Sequence, residues 1–294
     1  MQKVMAKRWE AIPKAITTAL IVAVFLAYVA FSAPFDSDIR AQDVEAYWTA
    51  AEILRNGGDL YGERVGPWPY SPWFAYLWVP LTYLPRGLVE GVWLIVLLGC
   101  VVWLAYPLLS SFTGLLAALF IVPQVTEYAW IGNVDALMLA ALALLHTRAG
   151  PVLVGLAASL KISPIAFVAY YLLRREWGKA ALSSGVAVAL WMPAFLFDMS
   201  AFGESGYGGV TPWSLMNYGL MPWLLGNGLI IATIGIIGLR DRRFVLLACA
   251  VAAMLGNPRL NLYSVGYLLV PARIASRPGN DGGPMQVSSP ASAR

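Results

Sequence analysis

Residues 150–177 read GPVLVGLAASLKISPIAFVAYYLLRREW. The stretch is apolar, yet His146 and Arg148 stand before it, Arg174, Arg175 and Lys179 mark its far end, and Lys161 sits at its middle. One continuous span would put those two basic groups on opposite faces of a membrane, against the tendency of Lys and Arg to stay on the cytoplasmic side. Two short helices meeting at KISP satisfy the tendency, with Pro164 opening the second. Each arm of roughly ten residues rises only about 15 Å, half of a hydrocarbon core of about 30 Å. Lys161 is therefore expected at membrane depth, or in a cavity reaching in from outside. An ionisable group at that depth is a functional candidate.

The rest of the chain fits the same solvent. Of 294 residues, 59% are hydrophobic and 12% charged, about half the charge of a typical soluble domain. The apolar runs are continuous rather than alternating, which argues for an all-α polytopic membrane protein and against a β-barrel. The net charge of +4 is scattered among short loops, so it points to topology rather than to nucleic acid. Cys100 and Cys249 fall inside apolar runs as small hydrophobes. With one histidine, His146, no histidine or cysteine metal centre is expected, and neither is a cofactor.

Lys3, Lys7, Arg8 and Lys14 precede a long apolar run. It reads as a retained first helix with a cytoplasmic start, longer than a cleaved signal needs. Residues 36–71 then lie outside. Segments 87–107 and 108–124 form an out–in–out hairpin, and 133–146 returns inward. After the hairpin at KISP, spans are expected at about 179–197, 217–239, 244–256 and 262–274. The aromatic, proline-broken segment 71–87 suits the outer surface better than a span. The total is ten membrane segments with both termini cytoplasmic, in a multi-pass protein of the cell membrane. Residues 1–275 form one domain, and the polar tail 276–294 is expected to be disordered.

The outer face holds the unusual chemistry. Residues 35–61, FDSDIRAQDVEAYWTAAEILRNGGDLY, carry four aspartates, two glutamates and two arginines beside the membrane. From Asp43 the pattern is helical, with Val44, Tyr47, Trp48, Ala51 and Leu54 forming a stripe and NGG ending it. The helix should lie on the outer surface. Asp43, at its start, is either an N-cap or a reactive carboxylate, and Asp36 and Asp38 compete for both roles. Asn133 and Asp135 suit a helix start, and Trp68, Tyr70 and Trp73 suit an interfacial belt or a sugar platform. Arg259 offers a planar donor for phosphate, and Lys161 a compact charge. A carboxylate and two cations on one face fit transfer of a group from a lipid phosphate. The base takes a proton from an acceptor hydroxyl and the cations stabilise the departing phosphate.

Five stretches occur in order: DVEAYWTAAEILRNGGDLY (43–61), YSPWFAYLWVPLTYLP (70–85), GNVDALMLAALALL (132–145), LVGLAASLKISPIAFVAYYLLRR (153–175) and NPRLNLY (257–263). Together they resemble glycosyltransferase family 87, similar to polyprenol-phosphate-mannose-dependent α-mannosyltransferases. The resemblance implies a GT-C fold whose first outer loop carries two juxtamembrane helices, here at about 43–57 and 72–84. It implies a hexosyltransferase that moves a sugar, mannose first, from a polyprenyl-phosphate donor with inversion and without a metal. The acceptor would be a lipid or glycan of the cell envelope, on the extracytoplasmic side. Asp43 would be the catalytic base, with Asp36 or Asp38 in reserve, and Lys161 and Arg259 would hold the donor phosphate. Tyr47, Tyr70, Trp73, Asn133, Asp135, Asn257, Asn261 and Tyr263 are candidate substrate contacts. The competing reading is a non-catalytic translocase or binding protein for lipid-linked sugars. That function calls for paired polar residues within several spans or for duplicated halves, whereas the polar groups here gather on one side.

Overall fold

A computed structural model describes residues 40–61, 68–110, 112–199, 214–240, 244–257 and 262–275. The expected first span, Asp36, Asp38, Arg259, Asn261 and the tail lie outside them. Among the described residues the fold is helical, with no strand. The elements are α1 (Gln42–Arg55), α2 (Pro72–Trp78) with a 3₁₀ turn (Val79–Tyr83), α3 (Arg86–Ala105), α4 (Phe112–Ile131), α5 (Asp135–Ala143), α6 (Gly150–Leu160), a 3₁₀ turn (Ser163–Phe167), α7 (Val168–Leu173), α8 (Trp177–Trp191), α9 (Leu220–Arg240), α10 (Val245–Leu255) and α11 (Leu269–Ala275).

Three helical stretches are long and apolar enough to cross a membrane: Arg86–Leu109, Gly114–Ile131 and Trp177–Leu196. Shorter apolar helices at Gly150–Leu160, Ser163–Leu173, Leu220–Thr233, Val245–Leu255 and Ser264–Ala275 accompany them. Of the ten expected segments, then, three reach spanning length among the described residues. One expected boundary is corrected. The segment expected to end near 124 continues through Pro123 to Ile131, since a helix in apolar surroundings tolerates a proline that a soluble helix would not.

The break at KISP is present. α6 stops at Leu160, Lys161 is extended (φ −136°, ψ 145°), and a 3₁₀ turn starts the chain again at Ser163–Pro164. The two arms fold back on each other: the Tyr171 hydroxyl, near the end of the second arm, donates to the Leu145 carbonyl just before the first (2.7 Å). α6 lies close against α8. A side chain on Gly155 would meet the Ser183 carbonyl oxygen at 2.6 Å, so a small residue is needed there, as at membrane helix contacts generally.

These contacts sort the fold into two ends. At one, α1 lies across the start of α3, the end of α4 and the start of α5. Glu45 pairs with Arg86, and the Ala41 amide donates to the Trp130 carbonyl (3.2 Å). At the other end, Tyr170 meets His146, Arg174 and Lys179 pair with Glu176, and Arg273 lies over Trp103. The buried side chains likewise form two groups: one along the helices, and one aromatic cap made by α1, α2 and their neighbours.

Candidate functional site

α1 buries Val44, Tyr47, Trp48, Ala50 and Ala51. Four of these belong to the stripe seen in the sequence; Leu54, the fifth member of that stripe, is only partly buried. Asp43 is not the N-cap. The helix begins at Gln42, and Ala41 precedes it in the left-handed region (φ 57°) with no side-chain cap. That leaves the Asp43 carboxylate free to turn toward the bundle.

There it meets the turn between α4 and α5. Asn133 Nδ2 donates to Asp43 Oδ2 (2.6 Å). The other end of the same amide, Asn133 Oδ1, accepts from the Asp135 backbone N–H (3.0 Å) and from Lys161 Nζ (3.3 Å). Asn133 is not the N-cap of α5, which is Val134 with no side-chain cap; Asn133 closes the turn just before the helix and also reaches two charged groups. Lys161 Nζ in turn lies 2.7 Å from Asp135 Oδ1. Asp135 is buried and Lys161 keeps about a fifth of its side chain exposed. The tip of the hairpin, the start of α5 and the first turn of α1 therefore share one polar cluster.

Asp43 is half-buried. Burial raises its pKa above the ordinary carboxylate value; the Asn133 hydrogen bond and the Lys161 charge pull it down, and the Asp135 charge pushes it up. The rise is the net result because loss of hydration disfavours the charged form. Among the described residues, Oδ1 of Asp43 accepts no hydrogen bond.

The aromatic cap holds this cluster in place. Tyr47 is fully buried, with the rings of Phe74 (4.9 Å), Trp78 (5.2 Å) and Tyr70 (5.5 Å) around it. Its hydroxyl sits 3.3 Å from that of Tyr70 and accepts from the Val134 amide (3.3 Å). Trp68 and Tyr70 are buried in the same cap. Trp73 is half-buried and its Nε1 donates to Ser159 Oγ (2.9 Å), which joins α2 to the hairpin arm that ends in Lys161. The structure thus brings Asp43, Asn133, Asp135 and Lys161 together and places Tyr47, Tyr70 and Trp73 around them. Asn257 is half-buried just after α10, and Tyr263 lies in the 3₁₀ segment Leu262–Leu268.

Two supports had little signal in the sequence. Gly132 adopts φ +90°, and a side chain there would meet Val44 Cγ2 at 2.6 Å. Trp93, on α3, donates to the Gly132 carbonyl (2.8 Å). The Gly-Asn pair is a turn signal, but nothing local says that a helix ninety residues earlier presses on it.

A half-buried carboxylate, Asp43, and an ammonium, Lys161, lie together at one end of an apolar helical bundle. The sequence matches glycosyltransferase family 87 over residues 68–260, and the chain belongs to that family. It is a membrane glycosyltransferase. Asp43 precedes the matched segment, while Asn133, Asp135 and Lys161 fall within it. No curated protein and no solved structure matches the chain.

Proposed function

We propose that this protein is an inverting hexosyltransferase that takes a sugar, mannose first, from a polyprenyl-phosphate donor and passes it to a lipid- or glycan-linked acceptor. Asp43 is the general base. The acceptor oxygen attacks the anomeric carbon as its proton passes to Asp43. The bond from that carbon to the phosphate oxygen breaks, and the polyprenyl phosphate leaves with the electron pair. The observation that carries the reading is the half-buried Asp43 carboxylate, hydrogen-bonded through one oxygen to Asn133 and held beside Lys161. A base with a raised pKa is better matched to proton transfer near neutrality than an ordinary carboxylate.

Lys161 and Arg259 are the cations assigned to the phosphate. Lys161 is already paired with Asp135, so the phosphate shares this ammonium rather than meeting a bare one. The two ends of the bundle differ in charge in the way the reading requires. Arg174 and Lys179 share one acid, Glu176, at the end with His146 and Arg273, while two acids, Glu45 and Glu90, meet Arg86 at the end with Asp43. By the positive-inside tendency, this difference supports an extracytoplasmic Asp43.

The test is transfer by the purified protein in lipid nanodiscs, given labelled polyprenyl-phosphate mannose or a labelled nucleotide sugar with a mannosylated lipid acceptor. Label should reach the acceptor from the lipid phosphate and not from the nucleotide. The reverse pattern would overturn the assignment of the donor.

A further inference from the structure

We propose that Asn133 is the positioning residue of Asp43, with its amide turned and held by Asp135 and Lys161; this rests on the reading of Asp43 as the base. Three partners fix which way that amide points. Two of them, the Asp135 backbone N–H and the Lys161 ammonium, are donors and demand an oxygen. The third, the Asp43 carboxylate, is an acceptor and demands the NH₂ group. Rotating the amide by half a turn would set donor against donor and oxygen against oxygen at all three contacts.

The consequence is geometric. A carboxylate on a helix's first turn can rotate, and both oxygens are then equivalent. Tied through Oδ2 to Asn133, the Asp43 carboxylate stops rotating and presents Oδ1 as the oxygen that takes the proton. The Gly132 turn fixes where Asn133 stands, because Val44 closes on it from α1 and Trp93 holds its carbonyl from α3. Lys161 therefore acts at two places: its charge lies beside the donor phosphate in the proposed reaction, and its hydrogen bond orients the amide that orients the base. Among the described residues, the charged and titratable groups facing Asp43 are Lys161 and Asp135 from the hairpin tip and α5, with Tyr47 on its own helix and Tyr70 before α2. Asn133 is the neutral group that links the Asp43 carboxylate to the Lys161 ammonium and to the Asp135 backbone N–H.

Two readouts test this, and one of them needs no substrate. The Asp43 carboxyl is followed by infrared difference titration of the protein in nanodiscs, as the band absent from Asp43→Asn. In Asn133→Ala that band should titrate at higher pH, because a hydrogen bond that favours the charged form is gone. In Asn133→Asp it should move further in the same direction, because a second carboxylate faces the first. In the transfer assay with polyprenyl-phosphate mannose, Asn133→Ala should lower kcat by about 100-fold with KM for the donor little changed, and Asn133→Gln should recover part of the loss.

An unmoved band in folded Asn133→Ala would overturn the proposal. So would a raised KM at unchanged kcat, which would make Asn133 a substrate contact. Should Asn133→Ala fail to fold, Asn133→Asp carries the same titration. Full turnover by Asp43→Asn would remove the base and its positioning residue together. Loss of turnover in Asp43→Asn with none in Asn133→Ala would remove the positioning role alone.

Discussion

Asn133 Nδ2 and Asp43 Oδ2 lie 2.6 Å apart, and this bond ties helix α1 to the turn that joins α4 and α5. It places a carboxylate where the backbone alone would leave a solvated helix start. The physical consequences fall on stability, on pH dependence and on turnover.

The Lys161–Asp135 pair should matter to folding as well as to chemistry. Asp135 is buried, so Lys161→Ala strands a charge away from water, at a cost of about 3–5 kcal/mol. Replacing both partners, as Lys161→Met with Asp135→Asn, leaves no stranded charge and should cost much less. Chemical denaturation in detergent micelles compares them. Equal losses in the single and the paired variant would show that the pair is not the source.

Gly132→Ala should be among the most damaging single-atom additions in the chain. The new methyl meets Val44 Cγ2 at 2.6 Å, and the backbone sits at φ +90°, a region that costs an L-residue about 1–2 kcal/mol before any clash. Adding Val44→Ala should relieve the collision and leave the backbone strain. Melting temperatures of the single and double variants read this directly. A double variant no better than Gly132→Ala would place the whole penalty in the backbone.

Stability should also respond to pH through Asp43. Its pKa is raised above 3.8 in the folded protein. Well below 3.8 both the folded and the unfolded chain hold the proton, and the group contributes no difference. As pH rises through that value the unfolded chain ionises first, so the folded state loses ground until the folded pKa is passed. Asp43→Asn removes this loss. Its melting temperature relative to the unmodified protein should therefore climb as pH rises above 3.8 and level off once the folded pKa is passed. A difference that stays constant across the range would mean that Asp43 is not perturbed by burial.

The helical membrane architecture was legible from the apolar runs, and the break at KISP from charge alone. Basic groups at both ends, Arg148 and Arg174, called for a turn between them, and the helix does break at Lys161. The α1 stripe was legible too, because Val44, Tyr47, Trp48 and Ala51 repeat at helical spacing and all four are buried.

The N-cap alternative for Asp43 failed for a local reason. Ala41 in the left-handed region starts the helix before Asp43, and no side-chain signal announces a left-handed alanine. The clasp on Gly132 could not be read either. Periodicity reports which face of a helix is apolar and says nothing about which distant turn that face will cover. Asn133 and Asp135 looked like a helix start, and α5 does begin at Asp135. That the same amide also reaches Asp43 and Lys161 follows only once α1 and the hairpin tip are brought to the same end of the bundle.

The most direct measurement compares Asp43→Asn with the unmodified protein in single-turnover transfer from labelled polyprenyl-phosphate mannose. Asparagine keeps the shape and an oxygen for the Asn133 amide but cannot take a proton. The expected result is a folded, donor-binding protein whose transfer step is slower by about 10²- to 10⁴-fold. Transfer at the unmodified rate would contradict the assignment of Asp43 as the base.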